Sequence, residues 1–126
     1  ELVSQLENHI ECLKQFNQFL VLARSGTFTE DDEIQFLEIK SGLAQELEMI
    51  LGTIEEGAPP RDEIHDLIAN APSLKYLAAL NETSQRTMEN NWHKLFLDWQ
   101  AILGKLKVAQ QQTPKKKGFF SRLFGG

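Results

Sequence analysis

The stretch MENNWHKLFLDWQAILGKLKVA, residues 88–109, decides the fold. Its large apolar residues are Met88, Trp92, Leu95, Trp99, Ile102, Leu106 and Ala109, spaced alternately by four and three. That spacing places them along one seam of a helix, the pattern of a helix packed lengthwise on others. The helix is expected from about Glu82 to Gln110, capped by Asn81 or Thr83, with Gly104 as its one weak point.

The chain upstream repeats the pattern. Leu2, Leu6, Ile10, Leu13, Phe16, Leu20 and Ala23 recur at steps of three and four, and Gly26 follows as a stop. A second helix opens at Thr29, whose hydroxyl is a good cap for a first turn rich in acids, Glu30 to Glu33. Its inward set reads as Ile34, Leu37, Ala44, Leu47, Leu51 and Ile54, widened by Phe36, Ile39, Leu43 and Ile50. Gly57, Ala58, Pro59 and Pro60 end it. The third element, Asp62 to Leu80, is interrupted at Pro72, because the residue before a proline avoids the helical region. It should form two short helices or one sharp kink.

Connections of only a few residues favour neighbours that run in opposite directions. The expected fold is all-α: an antiparallel up-down helical bundle of three long helices plus one Pro-broken helix, with a C-terminal tail. Residues 1–110 form the bundle, and 111–126 a polar linker followed by the tail. The length of 126 residues suits one core of this kind without disulfides. The lone Cys12 cannot form an internal disulfide, and no apolar run reaches the length of a membrane span. A cytoplasmic location is expected, with attachment at the inner face of a membrane as an option.

Charge divides the chain. Residues 1–112 hold all 18 acidic residues against nine basic ones, a net of −9; residues 113–126 hold Lys115, Lys116, Lys117 and Arg122 with no acid, a net of +4. An acidic body lacks the phosphate-neutralising face of a nucleic-acid binder. The basic tail carries Phe119, Phe120, Leu123 and Phe124, which on a helix fall within an arc of about 140° at about 100° per residue. Cations beside an apolar face suit an anionic membrane surface or a groove on a partner protein. The expected binding residues are therefore Lys115, Lys116, Lys117, Phe119, Phe120, Arg122, Leu123 and Phe124. Four apolar side chains at about 1.5–3 kcal/mol each and four cations at about 1 kcal/mol each oppose the ordering of roughly nine residues at ~1–2 kcal/mol each. One tail alone is thus marginal on a membrane.

Catalytic and metal patterns are missing. There is no Gly-x-Ser-x-Gly, P-loop or Rossmann spacing. Glu89 and His93 stand four apart and His9 and Cys12 three apart, but neither pair has the further ligands a metal needs. No metal, cofactor or catalytic residue is expected. His9 reads as a boundary residue, and His65 as facing water. Trp92, Phe96 and Trp99 allow a second reading, a bundle that senses a small apolar ligand in its core; filling the seam is the simpler role for them. The surplus apolar residues Phe96, Leu97 and Leu103 permit a homodimer. The sequence thus points to a non-catalytic helical interaction module that binds through its tail.

Overall fold

The structure, a computed structural model, describes residues 1–54, 58 and 60–123, with side chains through residue 110. Gly57 and Pro59, read above as helix-ending punctuation, lie outside the described residues. Among the described residues the chain is all-helical, with no strand and five helices: α1 (Leu2–Ser25), α2 (Glu30–Leu51), α3 (Arg61–Ala69), α4 (Leu74–Ala78) and α5 (Glu82–Leu123).

The first turn of the chain path is set by two residues. Gly26 adopts φ 73°, a left-handed conformation that ends α1, and its N–H bonds the Ala23 carbonyl. Three residues later the Thr29 hydroxyl accepts from the Asp32 N–H, and the Asp32 carboxylate accepts from the Thr29 N–H, a reciprocal cap on α2. Ser73 caps α4 through the Tyr76 N–H, and Asn81 caps α5 through the Ser84 N–H. The third element is two short helices broken at Pro72, as its sequence indicates.

Helix α1 is the hub. It packs against α2, α4 and α5, while α3 joins α2 to α5. The core residues of α1 are those of its apolar stripe, from Leu6 through Ala23, joined by Val3 and His9. The rings of Phe16 and Phe36 meet at 5.4 Å, and Trp99 of α5 is fully enclosed.

Four expectations need correction. Helix α2 ends at Leu51, with Gly52 as its C-cap, ahead of the expected stop that begins at Gly57. The buried face of α2 is Phe36, Lys40, Leu43, Leu47 and Ile50, whereas Ile34 and Leu37 are 56% and 59% exposed. Phe36, Leu43, Leu47 and Ile50 belong to the expected inward set, and Lys40 joins them at a position where the pattern offered no apolar residue. Its ammonium group donates to the carbonyl oxygens of Ala71 and Pro72, and its charge lies 4.9 Å above the Phe36 ring. His9 is not a boundary residue but fully buried. On α5 the core residues Met88, Trp92, Leu95 and Trp99 fall on the expected seam, and Leu103 replaces Ile102 as the next buried position.

The break between α3 and α4 is held from α2. Glu33 accepts from the Leu74 N–H at 2.6 Å and the Lys75 N–H at 3.4 Å, at the start of α4. A carboxylate there satisfies donors that the short helix leaves free. Lys40, two turns further along α2, takes the carbonyls on the other side of the break.

Candidate functional site

The sequence assigned binding to the tail. The helical backbone of α5 continues past Gln110, where the sequence placed a linker, through residues 111–123. Lys115, Lys116, Lys117, Phe119, Phe120, Arg122 and Leu123 lie on that stretch, and their side chains are outside the described residues; Phe124 lies outside altogether. The side chains described just before it lead away from the core. Leu103 is buried, Leu106 is half-buried and Val108 is half exposed. The Gln110 side chain reaches the Glu1 carboxylate, so this point of α5 is level with the start of α1.

A second assembly of polar groups lies inside the bundle. His9 and Cys12 of α1 sit one turn apart and face Glu46 of α2, and Trp99 of α5 closes the group. The imidazole meets the Trp99 ring edge-on at 4.8 Å. His9 Nδ1 is 3.6 Å from Glu46 Oε1, too far for a hydrogen bond. Both imidazole nitrogens, Glu46 Oε1 and the Trp99 indole N–H have no hydrogen-bond partner among the described residues.

Burial drives each of these groups toward its neutral form. It pulls His9 down to about 4. It raises the Glu46 carboxyl above its ordinary range, an effect opposed by the Cys12 thiol beside it. Burial, and then the Glu46 carboxylate, push the Cys12 thiol up to about 11. A thiol so held stays protonated near neutral pH and is a poor nucleophile. Nor does the enclosed His9 expose a nitrogen to a substrate. Among the described residues no group of three or more His, Cys, Asp and Glu is placed to hold a metal ion.

The aromatic residues of the α5 seam are engaged in packing. The Trp92 indole N–H donates to the Leu13 carbonyl at 2.7 Å, and its ring stacks on Phe96 at 5.0 Å. Trp99 is enclosed against His9. Glu89 is paired with Arg24 of α1, and His93 is exposed, so those two residues do not converge on a site. His65 faces solvent as expected, 4.0 Å from Glu48.

Open surface between α3 and α5 forms two adjoining clefts. One, of about 220 Å³, has Glu63 and Asp66 on its α3 wall and Asn91 and Lys94 on its α5 wall. The other, of about 250 Å³, extends past Thr87 to Thr83, where Tyr76 of α4 and Leu80 form the facing wall. Asn70, Met88 and Asn91 line both. The sequence reading passed over these residues. Their signal was available only helix by helix: Glu63, Asp66 and Asn70 recur at three and four on α3, and Asn91 and Lys94 at three on α5.

The chain matches no known protein family, no curated protein and no solved structure. Among the described residues no helix is long and apolar enough to cross a membrane.

Proposed function

We propose that this protein is a non-catalytic helical interaction module, in which an up-down antiparallel bundle carries the basic, Phe-rich end of α5 as its docking element. The order of contacts supports the antiparallel arrangement. Arg24, Leu13, Glu7 and Glu1 of α1 meet Glu89, Trp92, Lys107 and Gln110 of α5 in turn. His9 and Phe16 likewise face Glu46 and Phe36 of α2.

The observation that carries the functional reading is the course of α5. Its deepest described core contacts end at Leu103, and its backbone then runs on as helix for about 20 Å beyond Gln110, at about 1.5 Å per residue. That stretch bears Lys115, Lys116, Lys117, Phe119, Phe120, Arg122 and Leu123, with Phe124 next in sequence. On a helix the apolar members share one arc, suited to a groove on a partner protein or to the anionic inner face of a membrane. The bundle is then the cytoplasmic body that the tail positions, and a homodimer would double the tails and their avidity.

The test uses the full chain and the peptide of residues 113–126. Sedimentation with vesicles of neutral lipid, and of neutral lipid with about 30% phosphatidylserine, reads membrane binding. Capture by the immobilised peptide, followed by identification of the bound protein, reads partner binding. Retention by anionic vesicles, or capture of one protein that the full chain also binds, supports the proposal. Failure of both overturns it.

A further inference from the structure

The two clefts between α3 and α5 share Asn70, Met88 and Asn91 and so form one trough. Its α5 wall runs from Thr83 to Lys94, about 17 Å at about 1.5 Å per residue. That length accommodates about five residues of extended chain, each spanning at most ~3.3–3.6 Å.

The lining favours contact with a main chain. Asn70 and Asn91, on opposite walls where the clefts join, are both exposed, and neither side-chain amide is engaged by another described residue. A primary amide donates and accepts at once, as a peptide group does. Thr83 and Thr87 add hydroxyls along one end. The apolar floor of the first cleft is thin, since Leu67 and Leu95 are each only 3% exposed, and the second offers one well-exposed ring, Tyr76 of α4 at 49%, beside half-buried Leu80. An amphipathic helix needs a broad apolar groove, so this trough suits an extended segment instead.

Charge sets the polarity of the ligand. Glu63 and Asp66 stand one turn apart on the α3 wall, and one Glu63 carboxylate oxygen is buried with no hydrogen-bond partner among the described residues. Lys94 is the single cation of the lining, and residues 1–112 as a whole carry a net −9.

We propose that the α3–α5 trough binds an extended peptide segment of a partner protein, with Asn70 and Asn91 gripping its main chain and Glu63 and Asp66 receiving a lysine or arginine side chain. The site is separate from the tail and stands whether or not the tail docks as proposed above.

The test is chemical-shift mapping on the uniformly ¹⁵N-labelled full chain. The probe is a blocked pentapeptide of alternating alanine and lysine, titrated to about 5 mM. A blocked alanine–glutamate pentapeptide and N-acetyl-lysine amide serve as comparisons. The lysine pentapeptide should shift amides within residues 63–70 and 84–95 and leave α2 unmoved. Asn91→Ala, which changes no charge, should weaken binding about tenfold, as should Asp66→Asn. Both side chains are exposed, so a preserved spectrum elsewhere confirms that each variant folds. No localised shifts, equal binding of the glutamate peptide, equal binding of N-acetyl-lysine amide, or an unchanged affinity in Asn91→Ala would each overturn the assignment.

Discussion

Lys40 of α2 donates through its ammonium group to the carbonyl oxygen of Ala71, 31 residues away, at 3.0 Å. The same group reaches Pro72 O at 2.8 Å, and Glu33 on the same helix holds the N–H groups of Leu74 and Lys75. Helix α2 therefore clasps both sides of the break that Pro72 imposes. Lys40→Met keeps the apolar stem and removes the head, leaving the two carbonyls without that donor. A hydrogen bond to a charged group contributes roughly 1.5–3 kcal/mol. The expected loss of stability is about 2–3 kcal/mol, measured by urea denaturation.

The turn between α1 and α2 offers a cleaner backbone test. No atom lies within 4 Å of the point where a Cβ at Gly26 would sit, so space does not limit a substitution there. The left-handed φ of 73° does, because a Cβ in that region costs about 1–2 kcal/mol. Gly26→Ala should lower stability by about that amount, and Gly26→Asn by less. Thr29→Ala, which removes the hydroxyl of the reciprocal cap, should cost about 1 kcal/mol.

Acid should find His9. Burial holds its imidazole at about 4, against 6.5 in the open chain. As pH falls the unfolded chain takes up this proton first. The stability due to neutral His9 is therefore whole above about pH 6.5 and is lost as pH falls toward 4. By pH 5 the loss is about 2 kcal/mol. Glu46 acts with the opposite sign: its raised carboxyl binds a proton more readily in the folded state, so its contribution weakens as pH rises above 4.5. His9→Phe removes the first slope and keeps the second. Between pH 8 and pH 5 the variant should therefore retain about 2 kcal/mol more of its stability than the parent does, by urea denaturation at each pH.

Cys12 should be slow to alkylate. With its thiol pushed up to about 11 from 9.0, the thiolate fraction at pH 8 falls about 100-fold. Iodoacetamide should react with the native chain about 100-fold more slowly than with the chain in urea. Native reactivity equal to that of the denatured thiol would contradict the burial described for the group.

Much of this fold was legible because α1 and α5 each bury one apolar stripe. The series Leu6, Ile10, Leu13, Phe16, Leu20 is both the sequence pattern and the core. Helix α2 misled because Ile34 and Leu37 are apolar and outside, whereas Lys40 is charged and inside. No local pattern shows that carbonyls of a distant break will satisfy a lysine. Leu103 rather than Ile102 is the buried position after Trp99; at about 100° per residue the two lie at similar angles on either side of the seam, so local spacing does not choose between them. For His9 the spacing points to a boundary, because a polar residue beside a stripe is normally outside it. The trough was illegible for another reason. Asn70 and Asn91 come to line one cleft only when α3 lies on α5, a tertiary pairing that neither helix encodes in its own spacing.

The central claim is that residues 113–126 serve binding and not the stability of the bundle. The most direct measurement compares the full chain with a chain ending at Gln112, by thermal unfolding and by binding to anionic vesicles or to the protein captured by the tail peptide. The account predicts stability within about 1 kcal/mol of the full chain and loss of binding. A drop of several kcal/mol on removing the tail, or binding that survives its removal, would contradict it.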